Sequence, residues 1–198
     1  MALRFDDATG VRPHYLWDFV ARALVECPRC QSCAVVECEA GLRGAPTLVC
    51  SACGLSRRGW PSPTDAEISL LKPKRCSRCN DWLGKAPVRF LKQKRVIEVA
   101  CPCGAVSATR CVPTSMVLGG AFDPYFRLPL WLQAEVQGHV LWAYNRDHLS
   151  FLEAFVRADT RARAPNWNSS LVSRLPRWLK VAAARQPVLR AIAKIARR

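Results

Sequence analysis

Eight cysteines in this chain stand at spacings that permit chemistry, and they come in two sets. The first set is Cys27-Pro28-Arg29-Cys30, nineteen residues, then Cys50-Ser51-Ala52-Cys53-Gly54. The second is Cys76-Ser77-Arg78-Cys79, twenty-one residues, then Cys101-Pro102-Cys103-Gly104. Two Cys-x-x-Cys pairs at such a separation form the pattern of a four-thiolate zinc site. The expectation is therefore Zn2+, two per chain, held by Cys27, Cys30, Cys50 and Cys53 and by Cys76, Cys79, Cys101 and Cys103. Four thiolates around one ion close the coordination shell and leave no position for water or substrate, so the expected role is structural. Aligning Cys27 with Cys76 and Cys50 with Cys101 gives shifts of 49 and 51 residues, which suggests an internal duplication.

The second set departs from the pattern at its end, where one residue, not two, separates Cys101 from Cys103. Cys111 lies eight residues beyond and is an alternative ligand to either. Cys33 and Cys38 are surplus to the first set and read as small buried thiols.

These ligands need hairpins to carry them. In the first module Ala34–Glu37 and Thr47–Val49 read as strands, with Gly41 and Gly44 marking a turn and Gly54 fitting a tight turn after Cys53. In the second, Pro87–Leu91 and Arg95–Val99 read as strands around Lys92-Gln93-Lys94. Upstream, residues 1–12 read as a loose leader. Leu16, Phe19, Val20, Ala23 and Leu24 fall at helical spacing, with a core-facing strand as the alternative. Downstream, Pro129–Gln133 and His139–Tyr144 form an expected β-hairpin turning at Gln137-Gly138. Asn145 then precedes an amphipathic helix bearing Leu149, Leu152, Phe155 and Val156, extending to about Arg161. A second helix starts at Ser169 or Ser170, disturbed at Pro176, and a third begins near Pro187 with Val188, Ile192 and Ile195. The fold class is a small, zinc-dependent α+β protein: two tandem four-cysteine ribbons followed by a β-hairpin and a C-terminal helical segment. Its expected divisions are 1–24 (leader and short helix), 25–60 (first ribbon), 72–111 (second ribbon) and 121–198 (hairpin and basic helices).

Charge restricts the partners. Thirty Lys and Arg against fifteen Asp and Glu give a formal net charge of +15 over 198 residues. Such a field attracts polyanions. The cations cluster: no acid follows Asp159, whereas residues 161–198 hold ten Lys and Arg. Candidate nucleic-acid contacts are Arg57, Arg58 and Trp60 at the first ribbon, Lys72, Lys74, Arg75, Lys92, Lys94 and Arg95 at the second, and Arg177, Lys180 and Arg185 in the tail. Basic residues beside aromatics suit single strands, with charge following phosphate and rings stacking on bases. Trp131, Trp142 and Tyr144 read as core.

No catalytic constellation stands out. His14, His139 and His148 are scattered, and neither a phosphate loop nor a His-Glu-x-x-His motif is present, so the chain is expected not to be an enzyme and to take no small-molecule substrate. The N-terminus carries Asp6 and Asp7 and lacks the apolar run of a signal peptide, and nothing approaches a membrane-spanning stretch. The expectation is a cytoplasmic protein without membrane association, in a compartment where cysteine pairs bind metal more often than they form disulfides.

The paired cysteine turns resemble the transcription-factor-IIB-type zinc ribbon. The stretches Asp123-Pro124-Tyr125-Phe126, Leu130-Trp131-Leu132, His139–Asn145, His148-Leu149, Phe151-Leu152-Glu153 and Ser173–Trp178 are similar to a family of small bacterial zinc-ribbon proteins. That family is labelled by analogy with the zinc-binding region of the replication-restart helicase. The likeness covers most of residues 25–198 and carries no ATPase activity over, because no helicase nucleotide motif is present. Family members often carry cysteines before the position of Gly138; here Gln133-Ala134-Glu135-Val136-Gln137 holds none. The expected function is nucleic-acid binding without catalysis, as an adaptor in DNA replication, repair or transcription. The alternative is a protein-interaction module for an acidic partner such as a nuclease, toxin or polymerase subunit. A weaker idea is a redox or zinc sensor using Cys33, Cys38 and Cys111.

Overall fold

The computed structural model describes residues 4–6, 8–9, 12–38, 44–60, 68, 71–91, 96–110, 118–162 and 170–198. In chain order the strands are β1 (Arg4–Asp6), β2 (Ala8–Thr9), β3 (Arg12–Pro13), β4 (Arg22–Glu26), β5 (Cys33–Glu37), β6 (Thr47–Val49), β7 (Ser56–Arg58), β8 (Val88–Leu91), β9 (Val96–Ala100), β10 (Val106–Arg110), β11 (Leu132–Val136), β12 (His139–Ala143) and β13 (Thr160–Ala162). The helices are α1 (Trp17–Val20), α2 (Arg146–Arg157), α3 (Leu171–Arg174), α4 (Arg177–Lys180) and α5 (Arg185–Ala196), with a short 3-10 turn at Ala182–Ala184. They fall into two compact units, Met1–Gly59 with Val117–Arg198, and Trp60–Met116. The protein is thus α+β, and each unit carries one four-cysteine cluster.

In the first unit the sheet runs β4-β5-β6-β7, antiparallel throughout. Two-residue alternation places Ala23, Val25, Ala34, Val36 and Leu48 on the buried face, as a half-buried sheet requires. The helical spacing of residues 16–24 is realised for only one turn, α1; Ala23 and Leu24 belong to β4. The strand wins because both of its edges are used. One edge pairs with β5. On the other, Leu24 N–H donates to Tyr144 O (2.7 Å), Glu26 N–H to Pro129 O (2.8 Å), and Leu24 O accepts from Trp131 N–H (2.9 Å).

The first ribbon and the 121–198 segment, read from sequence as successive modules, are therefore joined through backbone bonds into one unit. Asn145 ties them further. Its Oδ1 accepts from His148 N–H (2.8 Å), the N-cap bond of α2, while its Nδ2 donates to Phe19 O and Arg22 O (both 2.9 Å). The hairpin β11–β12 turns at Gln137 and Gly138 as expected, both at positive φ (50° and 77°), but its first arm is Leu132–Val136 and not Pro129–Gln133, because register with β12 runs back from the turn. Helix α2 ends at Arg157, earlier than expected, because Thr160–Ala162 pairs in parallel with β1. That pairing docks part of the segment read as a loose leader: Phe5 is buried edge-on against Phe151 (5.3 Å) and Phe155 (5.5 Å). Helix α5 starts two residues before Pro187, so the proline sits in the first turn, where its missing N–H costs nothing.

The second unit is a three-stranded antiparallel sheet, β10-β9-β8. The third strand, β10, was not foreseen from sequence. Its core is small: Leu83 and Val99 packed with Cys76 and Cys101, and flanked by Ala86 and Ala105.

Candidate metal centres

Each centre is built from two backbone knuckles. In the first, Cys27 N–H donates to Ser32 O (2.8 Å) and Gln31 N–H to Cys27 O (2.9 Å). The knuckle at Cys50 repeats this with Leu55 and Gly54, and that at Cys76 with Asp81 and Asn80. The fourth is the same loop made one residue shorter: Cys101 N–H donates to Ala105 O (2.9 Å), and Gly104 N–H to Cys101 O (2.9 Å). The single residue between Cys101 and Cys103 is thus absorbed by a tighter turn, and both thiols still reach the cluster. The residue after the second cysteine lies at positive φ in all four, namely Gln31 (62°), Gly54 (70°), Asn80 (60°) and Gly104 (84°). Glycine adopts this conformation freely and asparagine tolerates it, but Gln31 does so at a cost.

The Sγ atoms of Cys27, Cys30, Cys50 and Cys53 all lie within 4.8 Å of one another, and so do those of Cys76, Cys79, Cys101 and Cys103. The shorter edges are 3.6 Å (Cys27–Cys53 and Cys30–Cys50), 3.7 Å (Cys76–Cys103) and 3.5 Å (Cys79–Cys101). An ion with metal–sulfur bonds near 2.3 Å in tetrahedral geometry requires sulfur–sulfur edges of about 3.8 Å. Either group therefore fits one tetrahedral ion. Further support comes from N–H groups aimed at sulfur, Arg29 N–H to Cys27 and Arg78 N–H to Cys76 (both 3.4 Å), which stabilise thiolate.

Proton sharing within the clusters points the same way. The backbone N–H of Ser32 draws Cys30 down to about 6, and those of Cys79 and Arg78 draw Cys76 down to about 6. For Cys53 and Cys79 the N–H groups of Leu55 and Asp81 favour ionisation. Desolvation and the facing thiols outweigh them and push both up to about 12. Four such groups lose their protons together only when a cation neutralises them.

The surplus cysteines stay outside the clusters. Cys38 is buried and its thiol donates to Gly44 O (3.4 Å); Cys33 is half-buried, and burial pushes its thiol up. Cys111, the alternative ligand, lies outside the described residues. His139 stacks on Trp178 (4.8 Å), while Trp142 is half-buried and Tyr144 is fully buried.

The candidate nucleic-acid residues are placed unevenly. Arg57 and Arg58 are exposed on β7, the edge strand of the first unit's sheet, and Trp60 is half-buried. Lys74 and Arg75 are exposed in the second unit, and Arg75 donates to Asn80 O (3.0 Å). Lys72 is turned inward, its Nζ donating to Gly84 O (3.0 Å) and Ala86 O (2.6 Å). Lys92, Lys94 and Arg95 lie outside the described residues. In the tail Arg177 is exposed, but Lys180 donates to Ser173 O (3.0 Å), and Arg185 pairs with Asp159 (3.0 Å) and caps Ala158 O (2.9 Å). Lys72, Lys180 and Arg185 thus have internal work that sequence reading could not show. Reading by charge also passed over Trp82, which is 64% exposed in the second unit. Its place between Asp81 and the buried Leu83 was the available signal.

No family model, no curated protein and no solved structure matches the chain. Among the described residues, no helix is long and apolar enough to cross a membrane.

Proposed function

We propose that the protein is a non-catalytic zinc-ribbon protein that binds nucleic acid. In this reading each four-cysteine group holds one Zn2+, whose redox inertness and tetrahedral thiolate preference suit a closed, purely structural site. Elemental analysis should find about two zinc atoms per chain.

The observation that carries the nucleic-acid reading is the disposition of the positive charge. Three carboxylates, Glu37, Glu153 and Asp159, pair with Arg22, Arg157 and Arg185, while Asp81, Glu135 and Asp147 are exposed without an ion pair among the described residues. Meanwhile Arg57, Arg58, Arg78 and Lys85 are exposed and make no ion pair among the described residues. Cations left open on knuckles and an edge strand match a phosphate backbone, whose neutralisation releases counterions. The resemblance to transcription-factor-IIB-type ribbons, and to the small bacterial proteins labelled after the restart helicase, adds replication, repair or transcription as the setting for an adaptor.

Binding of the zinc-loaded chain to single- and double-stranded DNA and RNA, measured at two salt concentrations, tests this. Affinity should fall steeply with salt; no binding at low ionic strength would refute it. One observation favours the second reading, an acidic protein partner. A groove of about 720 Å³ in the first unit has Arg190, Lys194 and Arg198 on one wall, although Glu26 and Glu135 also line it. That reading predicts a stoichiometric complex that survives nuclease treatment.

A further inference from the structure

Trp82 is the most exposed large apolar side chain among the described residues. Its neighbour Leu83 points into the small core of the second unit, 1% exposed, which anchors the backbone and turns Trp82 outward. The indole lies over Gly84, where a Cβ would collide with its Nε1, Cε2 and Cζ2 atoms. Glycine at 84 therefore makes the seat on which the ring rests.

Cations lie nearby, across a bridge and along the chain. Arg75 faces Trp82 across an isolated antiparallel bridge, which places the two side chains on one face, and its guanidinium is fixed by Asn80 O at 3.0 Å. Arg78 projects from the adjoining knuckle and Lys85 follows Gly84; both are exposed. The neighbouring carboxylate is Asp81, also exposed.

Resting on the nucleic-acid reading above, the geometry points to Trp82 as a base-stacking platform for single-stranded nucleic acid, with Arg75, Arg78 and Lys85 on the flanking phosphates. An unpaired base offers its π-face to an exposed ring, whereas in a duplex both faces are already stacked. The carboxylates of an acidic protein segment would satisfy the cations but do not themselves stack on the ring, whereas each nucleotide of a single strand supplies both a phosphate and a π-face.

The test uses the full zinc-loaded chain, a labelled oligothymidylate and a duplex of the same length, read by fluorescence anisotropy at fixed salt. Trp82→Ala should weaken single-strand binding about 5- to 150-fold, the range of one lost base–aromatic stack, with duplex binding changed less than about twofold. Trp82→Phe should restore most of the affinity. Trp82→Leu keeps apolar bulk over Gly84 but lacks a flat ring, and should behave like the alanine variant. Metal content of two ions per chain certifies folding, and the Phe and Leu variants decide the question if Trp82→Ala loses metal. Single-strand binding indifferent to the ring, or an equal loss on the duplex, overturns the platform while leaving general nucleic-acid binding intact. Wild-type protein that binds neither oligonucleotide, or is retained by polyglutamate alone, overturns both.

Discussion

Removing the metal should affect the two units unequally. In the second unit the buried aliphatic side chains near the centre are Leu83 and Val99, and Ile97 is buried on the same sheet. At about 1.5–3 kcal/mol for each fully buried side chain, three of them supply at most about 9 kcal/mol before any ordering cost. Structural zinc in small modules contributes about 10–16 kcal/mol at neutral pH, so the metal outweighs the core there. Two of the four members of that core, Cys76 and Cys101, belong to the four-cysteine cluster itself.

The first unit differs, because Tyr144, Phe155, Leu130, Leu132, Leu141, Ile192 and Ile195 are buried and lie on segments that hold none of its cysteines. A strong chelator should therefore abolish hydrogen-exchange protection throughout residues 71–91 and 96–110. In the first unit protection should be lost at the knuckles after Cys27 and Cys50 and kept in β11, β12, α2 and α5. Cys76→Ser should reproduce the second-unit loss alone. Protection of those two segments without metal, or simultaneous collapse of α2 and α5, would refute the reasoning.

Three further outcomes are expected. Asp123 is fully buried, and its carboxylate accepts from the N–H groups of Tyr125 (2.9 Å), Phe126 (2.8 Å) and Leu128 (2.6 Å); Asp123→Ala, which strands all three, should cost about 3 kcal/mol or more in denaturant unfolding, and Asp123→Asn less. Gln31→Gly should raise stability by up to about 1 kcal/mol by relieving the positive-φ knuckle, whereas lower melting would show that the side chain matters more than the backbone. Burial holds the His148 imidazole down at about 4, so the fold keeps the ring neutral while the unfolded chain protonates below about 6.5. Stability from this group is complete above pH 6.5 and is lost as pH falls toward 4. Urea unfolding of metal-loaded protein should lose about 1 kcal/mol between pH 7 and 5.5, a slope that His148→Gln should reduce.

Local spacing determined the ligand sets, because a metal knuckle is a short-range object: two cysteines, a reversal and a residue at positive φ. The hairpin at Gln137-Gly138 and the periodic helix after Asn145 were legible for the same reason, each being specified by contiguous residues. What spacing could not decide was any pairing set by a distant partner. Ala23 and Leu24 read as helix by periodicity but join β4, since the backbone groups of Tyr144, Pro129 and Trp131 occupy its outer edge. Arg4–Asp6 became a strand only because Thr160–Ala162 lies alongside it. Charge was legible as a total but not as an availability: Lys72 and Arg185 turn inward to carbonyls and a carboxylate, which no composition reveals. Trp82 reversed the usual expectation for tryptophan, because Leu83 took the core and Gly84 left the indole a seat outside it. The sequence alone set which cysteines can gather around an ion; the tertiary structure decided which cations and which ring stay exposed, because burial and hydrogen bonding are settled by residues far away in the chain.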